Sequence, residues 1–374
     1  MALVPANMNV LAWAIEDAGY SLDEFADAVS IDPSQLREQL ASGKIHLGTL
    51  EKMAKKIGRP VFTFFLPKPP SEMLNVRYRA NGNRDWFPSE ILQIRRLSHL
   101  QDVLRAISEG AGLNIEPLPK QREREDLEDF AARVRQYFDI KPDEYKSYSW
   151  ANQYNKLLRE KLAERMVFCF SASLSDDGAK GFALIDASLP VIGVNSSGKW
   201  SHSVRNFTMA HELGHILLGD ESSCCQDAGG VTHSKGIERE CDRFASYFLA
   251  PETEFRKALG LAGGDAVAKS KRISTKLFIS RQAAFIRLID FGEATWEEYA
   301  ALYSTELDAP VGIKWPEGKP RPEVEGQTKE MAVASSLTEA GLTLLRSGLD
   351  AGVISPMDLL RNFGLSSSAL YSAA

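Results

Sequence analysis

The pentapeptide His211-Glu212-Leu213-Gly214-His215 constrains this chain more than any other stretch. Residues four apart on a helix share a face, so both imidazoles point to one place. A zinc ion takes neutral imidazole nitrogens at roughly 2.0–2.1 Å. The glutamate next to the first histidine lies beside that point and can take a proton from an activated water, which makes Glu212 the candidate catalytic base. The flanks suit a buried helix: Met209, Leu213 and Ile216 line an apolar face, and Leu217, Leu218 and Gly219 close it. The chain holds only six histidines, so a pair at this spacing around a glutamate is uncommon by chance.

A catalytic zinc site usually has three protein ligands and one open position. No third histidine falls within easy helical reach, but the next helical stretch carries Glu238, Glu240 and Asp242. Glu238 and Asp242 are four apart and share a face. Glu238 is therefore the favoured third ligand, with Asp242 accepting a hydrogen bond from a ligating imidazole and fixing its tautomer. Glu240 is the rival ligand, and a solvated acidic face is the ordinary fate of such a cluster. Between the two helices, His233 is a candidate stabiliser of a developing oxyanion. Cys224 and Cys225 in the same loop either tune a redox response, contact the metal when substrate is absent, or are ordinary thiols.

The remaining chain has to be divided around this site. At 374 residues it suits two or three domains, and 44% apolar with 25% charged residues is a globular composition. Residues 8–66 read as five short helices with tight turns, the pattern of a helix-turn-helix domain. Ser21 and Glu24 form a capping box, Pro33 suits a first turn, and Gly43 and Gly58 are breakers. Residues 67–72 are a proline-rich boundary, and residues 88–109 predict a strong helix. The run from Gln121 to Phe138 is charged first and amphipathic later, which predicts a surface helix entering a new domain.

From Met166 the runs MVFCFSAS and GFALIDASLPVIGVN are β-like. Helices follow, so the class is α+β: a small sheet, then helices, with all-helical segments at both ends. Residues 265–303 resemble another helix-turn-helix unit, and a proline- and glycine-rich linker precedes the last helical stretch. The expected divisions are 1–67, 68–120, 121–262, 263–312 and 313–374. A net charge of −6 argues against broad coating of nucleic acid. Four cysteines make no disulfide framework, and no signal-peptide pattern opens the chain, so the expected location is the cytoplasm.

The stretches FTMAHELGHILLG and IERECDRFASYFLAP, with GFALIDASLPVIGVN ahead of them, resemble the ImmA/IrrE family of metallo-endopeptidases. The N-terminal segment from SLDEFADAV to VFTFFLPKPP resembles a helix-turn-helix domain of the XRE type. The resemblance implies a zincin-like core of the gluzincin kind, with zinc as cofactor and a glutamate ligand. It also implies a protein substrate, in many members a helix-turn-helix repressor of a mobile element or stress response. Cys241 departs from the family, which usually has alanine there, but a small buried cysteine preserves packing. In such peptidases an edge strand receives the substrate as an added strand. Val191, Ile192, Gly193, Val194 and Asn195 are the candidate segment, the competing view being a core strand.

Residues 1–70 hold seven Lys and Arg against eight Asp and Glu. Around Pro33 to Ala41 only Gln35, Arg37 and Gln39 are suited to read bases. The N-terminal domain is therefore expected to bind DNA, to serve as a homodimer surface, or to dock on a like domain of the repressor. The competing function is a non-catalytic DNA-binding regulator or antitoxin with a metal-sensing peptidase fold.

Overall fold

The computed structural model describes residues 3–70, 76–79, 86–175, 179–219, 235–302 and 329–372, of which 76–79, 235 and 329–336 by backbone alone. The chain forms two compact units. The first comprises Met1–Leu74 with Asn81–Arg96, the second Asn75–Ala80 with Leu97–Ala374.

In the first unit, β1 (Leu3–Pro5) precedes α1 (Met8–Asp17), α2 (Leu22–Ala28) and α3 (Pro33–Ser42). Then come β2 (Lys44–His46), α4 (Leu47–Ile57) and a 3₁₀ turn at Val61–Phe65. The helix ends follow local chemistry. Asn7 caps α1, Ser21 and Glu24 close a reciprocal capping box on α2, and Asp32 caps α3 ahead of Pro33. Gly43 and Gly58 end α3 and α4 at φ +69° and +73°, a region costly for side-chain-bearing residues. Four α-helices form rather than five: Val61–Phe65 makes a 3₁₀ turn, and Lys44–His46 pairs antiparallel with Leu3–Pro5. Leu11, Phe25, Leu36, Leu50, Met53 and Phe64 are fully buried at the centre.

The second unit is built on a four-stranded sheet. Its strands are β3 (Val76–Arg79), β4 (Phe168–Ala172), β5 (Gly181–Leu184) and β6 (Val191–Asn195), in spatial order β3-β5-β6-β4. β5 runs antiparallel to both β3 and β6, while β4 runs parallel to β6. Helix α5 (Pro88–Gly110) contributes to this unit from Leu97 onward. There Gln101 donates to the carbonyls of Leu184 (3.1 Å) and Leu189 (2.8 Å), which fastens the β5–β6 turn. Next are α6 (Leu127–Tyr137) and α7 (Ala151–Ala163) ahead of β4, and α8 (His202–Leu218) after β6.

Helix α6 is the amphipathic surface helix its sequence predicts, with Asp129, Ala132 and Gln136 exposed on one side. The charged run before it stays irregular as far as Asp126, which caps the helix, and Phe130, Ala131 and Val134 are fully buried against α9 (Lys235–Leu249). Beyond α9 lie α10 (Glu252–Leu259), α11 (Ala266–Leu277), α12 (Arg281–Asp290) and α13 (Trp296–Leu302). The chain closes with α14 (Lys329–Asp350), α15 (Pro356–Phe363) and α16 (Ser367–Ser372).

Helix α14 is broken at Thr338 (φ 65°, ψ 161°), and its second part packs on α7 and β4. The Glu160 carboxylate of α7 accepts the amides of Glu339 and Ala340, both at 3.1 Å, and so caps the second part from outside. Beside it, Arg159 donates to the Cys169 carbonyl (2.8 Å). Phe168 turns its amide toward β6, so the backbone of Cys169 faces away, and Arg159 covers the outer edge of β4. No described helix is long and apolar enough to cross a membrane.

Candidate metal centre

Helix α8 begins at Ser201, whose hydroxyl accepts the Val204 amide, and is buried almost continuously from Asn206 to Leu217. Such burial needs apolar neighbours on several sides, and the sheet and α9 supply them. Asn206 is fixed by Asn155 (2.7 Å) and by the Phe278 carbonyl (3.1 Å). These bonds hold the helix against rotation one turn before the histidines.

His211, Glu212 and His215 are all fully buried, and Glu238 reaches toward them from the first turn of α9. The two Nε2 atoms of His211 and His215 stand 3.1 Å apart. Glu238 places Oε2 3.4 Å from His211 Nε2 and Oε1 3.3 Å from His215 Nε2. Ligand atoms held ~2.0–2.1 Å from a tetrahedral ion stand about 3.3 Å from one another. The three residues, whose donor atoms lie within 4.8 Å of one another, thus form a set that can hold a divalent metal. Burial pushes the Glu238 carboxyl up, but the two imidazoles outweigh it and leave the group below the usual carboxylate range. The anion, the form that binds a metal, is the favoured one.

Asp242 accepts from His211 Nδ1 at 2.9 Å, which leaves Nε2 free of that proton and facing Glu238. Gln282 Nε2 donates to the Tyr299 hydroxyl (2.8 Å) and lies 3.4 Å from Asp242 Oδ2. Gln282 had no signal in the sequence: it lies 40 residues beyond Asp242, in a helix whose apolar repeat drew attention instead. Glu240 is exposed and outside the cluster. Cys241 is fully buried, and burial drives its thiol well above the usual range. His233, Cys224 and Cys225 lie outside the described residues.

Two close approaches hold this site together. At Gly214 a Cβ would stand 3.3 Å from Cys241 Cα and 3.2 Å from Phe244 Cδ1, so α9 crosses α8 at nearly backbone distance. At Gly181 a Cβ would stand 2.5 Å from Thr208 Cγ2 and 3.5 Å from Glu212 Cγ, so the start of β5 presses on the helix beside Glu212.

The expectation for Val191–Asn195 needs correction. β6 is internal to the sheet, hydrogen-bonded to β5 on one side and β4 on the other, so neither of its edges can accept a further strand. Val191, Ile192, Gly193 and Asn195 are buried, and the Asn195 side chain donates to the carbonyls of Ser175 (3.1 Å) and Ala179 (3.0 Å). This is a core strand, and β5 is the strand that meets α8 beside Glu212.

No curated protein and no solved structure matches this chain. Residues 168–288, the stretch from β4 through most of α12 that carries the donor set, match the model of a peptidase family described as the IrrE N-terminal-like domain, a likeness that points to a metallopeptidase-type function with a protein as substrate.

Proposed function

We propose that this chain is a zinc-dependent endopeptidase with a gluzincin-like core, in which His211, His215 and Glu238 are the metal ligands and Glu212 is the base. The convergence of the three donor atoms within 4.8 Å, with Glu212 on the same buried helix, carries this reading. When bound, the metal supplies Lewis acidity, polarising the scissile carbonyl and easing deprotonation of water. Glu212 takes the proton of the attacking water and passes it to the departing amine nitrogen, so one carboxylate serves as base and then acid. Asp242 holds His211 in the tautomer that turns Nε2 inward.

The substrate class that fits the family likeness is a regulatory protein, on our reading a helix-turn-helix repressor. The first unit serves as an XRE-type module that docks on it. Against DNA reading by this unit stands its charge balance, seven Lys and Arg against eight Asp and Glu over residues 1–70.

Elemental mass spectrometry on untagged protein tests the site. About one zinc per chain is expected in the wild type, with loss or weakening in Glu238→Ala, His211→Ala and His215→Ala. Glu212→Gln is expected to keep its metal while hydrolysis falls about 10²–10⁴-fold. Zinc lost from Glu212→Gln would overturn the role given to that residue. Wild-type protein that takes up no zinc would favour a non-catalytic regulator.

A further inference from the structure

The sheet order leaves one edge near Glu212 where an extended peptide could pair, the outer edge of β5. The chain has already filled it. β3 pairs antiparallel with β5 over its whole length: Val76 opposite Leu184, Arg77 opposite Ala183, Tyr78 opposite Phe182 and Arg79 opposite Gly181. Lys180 turns its carbonyl to the Asn195 amide of β6 (2.8 Å). Alternation along the strand then turns the backbone of Gly181 and Ala183 the other way, toward Arg79 and Arg77. Arg79 is thus in register with Gly181, whose Cβ position stands 3.5 Å from Glu212 Cγ. With β3 in place, His211, Glu212 and His215 are all fully buried.

A strand edge offers one row of amides and carbonyls, and it pairs with one partner at a time. We propose that Val76–Arg79 is a built-in occupant of the substrate edge, and that a protein substrate is cut only after an extended segment of its own displaces β3 from β5. The occupant that belongs there is a peptide strand antiparallel to β5, with backbone N–H groups at the two alternate positions now held by Arg77 and Arg79. Proline at either position is excluded, because it has no amide to offer. The consequence for catalysis rests on the peptidase reading above, but the strand exchange itself does not.

The test is amide hydrogen exchange and peptide binding on the full chain, wild type against Arg77→Pro/Arg79→Pro. The probe is a fluorescent synthetic peptide spanning residues 74–82. In the wild type the amides of Gly181 and Ala183 are expected to be protected. The double variant should lose that protection and bind the peptide about tenfold or more tightly than wild type, since a tethered strand competes at millimolar effective concentration. Bound peptide should restore protection at the same two amides.

The proposal is overturned if Gly181 and Ala183 exchange freely in the wild type, if the variant leaves them protected, or if the variant binds the peptide no better. Should the double variant not fold, Arg79→Pro alone is read the same way, and wild-type exchange decides by itself. Neither readout needs metal or hydrolysis, so failure of the strand proposal and failure of the peptidase reading are separate outcomes.

Discussion

Asp242 shows how one carboxylate outside the donor set sets the quality of the site. It touches His211 Nδ1 at 2.9 Å and fixes which nitrogen faces inward. Asp242→Asn keeps the size but removes the charge that raises imidazole basicity. Metal affinity is expected to fall about 10–100-fold in a chelator competition, with little change in the melting of the metal-free protein. Glu254 is a contrasting carboxylate with a structural task. Burial would raise it, but Lys146 (2.8 Å), Lys257 (2.7 Å) and the Tyr145 hydroxyl (2.8 Å) outweigh burial and bring it down to about 2 from an ordinary 4.5. A lowered carboxylate stabilises the fold above its unfolded value, and that stability is lost as pH falls from 4.5 toward 2. Both lysines are largely exposed, so solvent screens the gain. Glu254→Gln is expected to cost about 1–2 kcal/mol at pH 7. Melting curves should show the gap between variant and wild type narrowing by about pH 3.

Between elements, the α8–α9 crossing is the contact on which the donor set depends. Gly214→Ala gains about 1 kcal/mol in helix propensity but puts a methyl 3.2–3.4 Å from Phe244 and Cys241. Overpacking costs about 1–3 kcal/mol, so net stability should change little or fall. The more telling change is a shift of α9 by a few tenths of an ångström, which carries Glu238 away from the imidazoles. A severalfold loss of metal affinity with a nearly unchanged melting temperature is the expected signature. The α8 site helix was legible because its chemistry and its 3.6-residue period coincide at His211 and His215. The capping box at Ser21, the first-turn Pro33 and the stops at Gly43 and Gly58 were legible for the same local reason. Strand order was not legible. Nothing within Val191–Asn195 says that both its edges are taken, since pairing is decided by β4 and β5 elsewhere in the chain. β3 does alternate, Val76-Arg77-Tyr78-Arg79, but so short a run just after a proline-rich boundary is too little to mark it as a strand. The amphipathic face of α6 was legible because Phe130, Ala131 and Val134 recur at helical spacing between exposed residues.

For the whole molecule, the last helices belong to the core of the second unit. Gly341 packs against the ring of Phe168 in β4, Gly348 meets Ile107 of α5, and Val353 meets Gly110. Truncation before Leu337 is expected to uncover one side of β4 and leave the Glu160 carboxylate without the two amides it caps. An uncovered apolar surface, here around the Phe168 ring, promotes association, so the truncated protein should appear as large species in size-exclusion chromatography where the full chain does not. The external cap also has a consequence in time. The helix that begins at Thr338 has its first turn completed by a residue 179 positions earlier, so it cannot be finished until α7 stands and the chain's last stretch has been made. During synthesis β4 waits with its outer side open while everything downstream is still emerging. The interval before the helix after Thr338 arrives is therefore when this protein is most exposed to misassembly, and most in need of a chaperone.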